Sequence, residues 1–191
     1  MYLPIYAHIA IHPREIYNLT MKKNTQLSPI IENLLAKRNI KTADEIERFL
    51  HGADLHSHQL LENIVAATDR ISRQIEQNNW IVIHGDFDVD GITATSILFH
   101  YIYYQLNHKK IFPYIPDRID EGYGITQTSL ENIENILKEK DSSVLQSQGK
   151  KPLIISVDCG VKETTLIDDI WSDKFDFLIT DHHNLKVNEN G

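Results

Sequence analysis

His84, Asp86, Asp88 and Asp90 stand in the stretch HGDFDVDGIT (84–93), where acids alternate with apolar or aromatic residues and a glycine follows. Carboxylates that close repel one another and drift to higher pKa unless positive charge sits among them. Two later segments have a similar character: Asp158 in VDCG (157–160), and Asp181, His182 and His183 in TDHH (180–183). Oxygen and imidazole donors together suit manganese, magnesium or zinc, with manganese favoured by the mixture. The donors outnumber what one ion needs, so two ions are expected. The series Asp-x-Asp-x-Asp-Gly also opens an EF-hand loop, but that loop needs a glutamate at position 12. Ile97 stands there, and the loop follows an apolar run rather than a helix.

The apolar run Trp80–Ile83 ends at the charged loop, as a buried parallel strand does. Ile111–Ile115, Leu153–Val157 and Phe175–Ile179 read as three more strands. Between them Ala94, Ile97, Leu98, Tyr101 and Ile102 mark a helix. Thr128-x-x-Glu131 caps another helix that runs to about Lys140, and Val161–Trp171 is a third. Strands alternating with helices predict an α/β fold, a Rossmann-like parallel sheet flanked by helices. In such sheets ligands bind beyond the carboxyl ends of the strands. His84 to Asp90, Asp158, and Asp181 to His183 all follow strands, as does Arg118 in PDR. A parallel sheet would bring these groups to one edge.

Upstream, Leu27, Ile30, Ile31, Leu34 and Leu35 recur at helical spacing, and Thr42-Ala-Asp-Glu45 has the pattern of a capping box. Ile64, Thr68, Ile71 and Ile75 mark a further amphipathic helix, stopped by Asn78-Asn79. The predicted division is a helical region over 1–78 and the α/β domain over 79–191. Residues 1–26 show no clear period, and Asp141–Lys151 reads as an exposed linker. His51, His56 and His58 imitate a metal cluster but sit in a loop away from strand-end acids, so they read as solvated.

Composition narrows the class. The chain has 191 residues, 41% hydrophobic and 24% charged, as in ordinary globular proteins. Its single cysteine, Cys159, excludes an internal disulfide and reads as a small buried filler; it fits a reducing cytoplasm. No stretch approaches the roughly 20 apolar residues of a membrane span. A net charge of −8 argues against a wide nucleic-acid footprint within these residues and is compatible with clustered metal-binding carboxylates.

HGDFDVDG (84–91), VDCG (157–160) and TDHH (180–183), in this order on alternating strands and helices, resemble the DHH phosphoesterase superfamily. PYIPDRIDEGYGI (113–125) and LSPIIENLLAKRNIKTADEIERFL (27–50) are similar to the corresponding stretches of RecJ-type exonucleases. That resemblance implies a single-strand-specific, 5′-to-3′ DNA exonuclease of repair and recombination that needs Mn²⁺ or Mg²⁺. It implies His84, Asp88 and Asp90 as metal ligands, with Asp86 a ligand or a supporting carboxylate. Asp158 would bridge two ions and His182 would bind metal. His183 would contact the scissile phosphate, with Asp181 orienting the pair. Arg118 would meet a DNA phosphate, a role its planar fork suits. The implied partners are single-stranded DNA, and a single-strand-binding protein or a helicase; no membrane is implied.

RecJ-type proteins continue past the DHH motif with a fourth aspartate motif, a second catalytic domain and an OB domain. None of these fits in Asn184–Gly191. The expectation is therefore a truncated first catalytic half. Two other readings remain: a non-catalytic binding or scaffolding fragment, and a phosphoesterase for oligoribonucleotides, cyclic dinucleotides or pyrophosphate. The RecJ-like flanks and the GYG segment speak against the latter.

Overall fold

The computed structural model describes residues 27–52, 56–144 and 150–184. The unassigned stretch 1–26, the middle of the predicted loop at 53–55 and the middle of the predicted linker at 145–149 lie outside the described residues. The chain divides into two compact units, Met1–Ser57 and His58–Gly191.

In the first unit, α1 (Pro29–Lys37) starts at Ser28, whose hydroxyl accepts the Ile31 N–H, and Pro29 fills the first helical position where no donor is needed. Helix α2 (Ala43–His51) carries the predicted capping box, with Thr42 and Glu45 each accepting from the other's backbone. His51 closes this helix and sits 3.6 Å from Glu47, one turn back.

The second unit opens with α3 (Ile64–Glu76) and is built on four parallel strands, β1 (Ile81–Gly85), β2 (Ile111–Tyr114), β3 (Leu153–Val157) and β4 (Asp176–Thr180). Helices α4 (Val89–His100) and α5 (Gln127–Lys140) connect them, with a short α6 (Thr164–Leu166) before β4. Both α4 and α6 end in π-helical turns, Tyr101–Gln105 and Ile167–Trp171. The strands lie in the order β2-β1-β3-β4. Every pairing is parallel, as parallel strands joined by helical crossovers must be.

Period-two alternation distributes each strand between two layers. Ile81, Ile83, Leu153 and Ile155 pack with Ile71 and Ile75 of α3 and Leu98 of α4. Val82 and Ile154 face the other way, onto Leu130, Ile133 and Leu137 of α5, with Trp171 and Phe175. Strands buried on both faces read as continuous apolar runs, which is why β1 and β3 were legible.

Two helix starts differ from the sequence expectation. Helix α5 is capped by Thr126 with Ser129, not by Thr128 with Glu131. A serine at the third helical position can return the hydrogen bond to the cap, and it does so at 3.0 Å. The helix expected over Val161–Trp171 begins only at Thr164, after a turn that includes Gly160 at φ +112°.

Candidate metal centre

The strand order creates the site. From β1 the chain crosses to β2 on one side, then returns past β1 to β3 on the other, so the order reverses between β1 and β3. Loops leaving adjacent strands at such a switch point diverge and leave a crevice. Register does the rest. Gly85 pairs with Val157 and Val157 with Thr180, so Asp86, Asp158 and Asp181 leave the sheet as one row.

Within that row the carboxylates close. Asp86, Asp88 and Asp158 each bring an oxygen within 4.8 Å of the others, and Asp158 forms a second such group with His182 and His183. Asp158 is the member common to both. Its Oδ1 lies 3.0 Å from His182 Nε2. Its backbone holds φ +63°, a left-handed conformation costly for most side-chain-bearing residues but more accessible to aspartate. Burial first, and the charge of Asp88 second, hold the Asp158 carboxyl above its usual range, with His182 and His183 pulling against them. The charges of Asp88 and, less, of Asp90 on Asp158 are the part of this that comes from repulsion between clustered acids. A divalent cation among carboxylate and imidazole donors would relieve it, so the residues present fit such an ion.

Asp88 also caps α4. Its Oδ1 accepts from the backbone N–H of Asp90 at 3.0 Å and of Gly91 at 3.1 Å. Asp86 is buried and accepts from the Phe87 N–H at 2.7 Å. Asp90 lines an open cavity of about 400 Å³ with Asp158, Asp181 and His182.

Asp181 holds His183. Its Oδ1 takes His183 Nδ1 at 2.7 Å and the His183 N–H at 3.0 Å, while Oδ2 accepts from the Val161 N–H. Burial pushes the Asp181 carboxyl up, but these hydrogen bonds outweigh it and leave it below its usual range. The ring nitrogen left to His183 is Nε2, as an oriented imidazole requires.

Two predicted site residues stand apart from these groups. His84 is fully buried on the α5 side of β1, with Nε2 3.3 Å from Ser129 Oγ and Nδ1 3.6 Å from Cys159 Sγ. Burial pushes its pKa down to about 4, so the ring is neutral at pH 7. Arg118 lies over the Phe87 ring, 4.9 Å from its centroid. Ser129 and Tyr123 escaped the sequence reading as site residues. Ser129 was hidden because its signal is that of a helix cap, and Tyr123 because nothing local ties it to His183, 60 residues away.

The His84 shift has a consequence for stability. The folded-state value lies below the ordinary 6.5, so the unfolded chain binds the extra proton first. Stability is fully present above about pH 6.5 and is lost as pH falls toward about 4, by roughly 3 kcal/mol in total. Urea unfolding across this window should show His84→Asn losing less stability on acidification than the wild type. Parallel pH profiles would refute this account of His84.

Residues 80–190 match the model of the DHH family, N-terminal domain, and the chain belongs to that family. Among curated proteins it is similar to the single-stranded-DNA-specific exonuclease RecJ of Bacillus subtilis, at 37% identity over 60% of this chain and 13% of that protein. It is also similar to RecJ of Thermus thermophilus, at 28% identity over 59% of this chain and 15% of that protein. The chain thus matches only a small part of the length of these relatives. Among solved structures, an exonuclease RecJ bound to manganese superposes with a TM-score of 0.51 at 26% identity, covering 65% of this chain and 28% of that one. The DHH domain of a member of a ribosomal-protein family shares the fold, with a TM-score of 0.52 at 18% identity over 83% of this chain and 38% of that one. Among the described residues no helix is long and apolar enough to cross a membrane.

Proposed function

We propose that this chain carries the first metal-binding half of a RecJ-type, single-strand-specific 5′-to-3′ DNA exonuclease that uses Mn²⁺ or Mg²⁺. The observation that carries the reading is the shared position of Asp158 between an all-carboxylate group and a carboxylate–imidazole group. That arrangement matches the donor sets of two neighbouring divalent ions, and one similar structure is a RecJ bound to manganese. Asp86, Asp88 and Asp158 would hold one ion and Asp158 with His182 the other, with Asp90 at the rim of the cavity. When bound, such a pair supplies a hydroxide at neutral pH and offsets charge that develops on phosphorus.

The chain's own residues then have separate tasks. Asp181 holds the His183 ring through Nδ1, so that Nε2–H of the doubly protonated ring would donate to a phosphate oxygen, a bond that strengthens as negative charge builds. Arg118, over the Phe87 ring, offers its N–H fork to a second phosphate. His84 braces β1 against α5, and whether it also reaches metal is read by the affinity of its variants. Residues 79–191 carry the catalytic part, with α3 packed against its sheet. The setting is cytoplasmic DNA repair and recombination, with single-stranded DNA as substrate and a single-strand-binding protein or helicase as company.

The test is Mn²⁺-dependent release of mononucleotides from a 5′-phosphorylated, 3′-labelled single-stranded oligonucleotide, beside an Asp158→Ala control. Release by the wild type alone is the expected result if these residues suffice for turnover. No release with Mn²⁺ still bound would place turnover in a longer protein. No Mn²⁺ binding at all would end the metal-centre reading.

A further inference from the structure

Tyr123 is held between two glycines in the left-handed region, Gly122 at φ +88° and Gly124 at φ +73°. Such a turn lifts the side chain between them away from the backbone path. Glu121 anchors it from behind, accepting from the Asp117 N–H at 3.0 Å and the Asn132 amide at 3.2 Å. The Tyr123 side of the turn faces the metal centre. Its hydroxyl lies 3.5 Å from Nε2 of His183, the ring whose other nitrogen is held by Asp181.

Tyr123 as a whole residue stays 45% exposed. Phe87 meets it at 6.0 Å and 82°, and His183 at 6.3 Å and 89°. Both contacts are perpendicular, and among the described residues no ring stacks parallel on Tyr123. Beyond Phe87 lies the Arg118 guanidinium, which has no acidic partner among the described residues. A row of side chains therefore runs from a cation through two aromatic rings to the imidazole beside the carboxylates. Cations flanking half-exposed aromatic rings form the usual platform for unpaired bases, because every base offers a π-face.

We infer that Tyr123 receives the base of the nucleotide whose phosphate meets His183, and so makes the site selective for a nucleotide freed from pairing and stacking. The inference rests on the exonuclease reading and deepens it, since it gives single-strand preference a residue. A base inside a duplex has both faces covered by its neighbours, so it offers Tyr123 a face only once it leaves the stack.

The experiment is calorimetric titration of the Mn²⁺-loaded chain with thymidine 5′-monophosphate and, separately, with 2-deoxyribose 5-phosphate, which lacks the base. The nucleotide should bind about fivefold to a hundredfold more tightly, the span expected for one base on one aromatic ring. Tyr123→Ala should erase that difference while the sugar phosphate keeps its affinity within about twofold, and Tyr123→Phe should preserve the difference. Equal affinities in the wild type, or a difference that survives in Tyr123→Ala, would overturn the stacking role and leave the metal reading intact. If Mn²⁺ binds but neither ligand does, the phosphate-binding reading fails, and the stacking role falls with it.

Discussion

Asp158→Ala is expected to weaken Mn²⁺ binding by about a hundredfold or more, a loss above the ten- to hundredfold typical of residues one shell out from a metal. The reason is topological as much as chemical. Asp158 belongs to both donor groups, so its removal takes a carboxylate from each and leaves Asp86 facing Asp88 alone on one side. Alanine at His51, His56 or His58 should change affinity by less than about twofold, because none of the three belongs to either donor group and side chains with no shared partners act independently. His51 closes α2 in the first unit, where it sits beside Glu47, and His56 and His58 are exposed. Calorimetric Mn²⁺ titration of the four variants decides the matter. Equal losses across them would sink the site assignment.

Gly91→Ala should destabilise the fold by about 2 kcal/mol or more, against the ordinary helical preference for alanine. At an unconstrained helical position this change gains about 1 kcal/mol. Here an added Cβ would sit 2.4 Å from the backbone oxygen of Asp86 and 2.5 Å from its nitrogen. Backbone atoms cannot swing aside, so crowding of the kind that costs about 1–3 kcal/mol or more wins over propensity. The start of α4 would have to move off the Asp86 loop. That motion would strip Asp88 of its cap to Gly91 and part Asp86 from Asp158. The urea midpoint should therefore fall at unchanged slope, and Mn²⁺ affinity should fall with it. Val89, in the same helical turn, is 74% exposed, and Val89→Ala should stay within about 0.5 kcal/mol. A Gly91→Ala protein as stable as Val89→Ala would show that the loop tolerates displacement.

Local chemistry carries far in this chain. The capping box Thr42–Glu45 was legible because its hydrogen bonds close within four residues. The apolar runs of β1 and β3 were legible because a strand covered on both faces is mostly apolar, with His84 and Ser156 as the polar members here. The DHH-type motifs were legible because each sits in the few residues that follow a strand. Local reasoning failed where two signals of the same kind competed. Thr126–Ser129 and Thr128–Glu131 both have a hydroxyl at the cap and a partner three residues on, and only the entry of the chain from the GYG turn selects the first.

The sequence by itself determined which groups would stand at the carboxyl edge of a parallel sheet, because side-chain direction and strand ends follow from short-range sterics and hydrophobic period. It determined that the groups were carboxylates and imidazoles, and hence that a divalent cation suited them. Only the tertiary structure decided how they are divided. The order β2-β1-β3-β4 sets Gly85 beside Val157 and Val157 beside Thr180, so Asp158 stands between the acids of one loop and the histidines of another. The same pleat turns His84 into the α5 layer toward Ser129, and the crossover from β2 brings Tyr123 to His183. Strand order and crossover are settled by contacts between segments tens of residues apart, and no window along the chain contains both partners of such a contact.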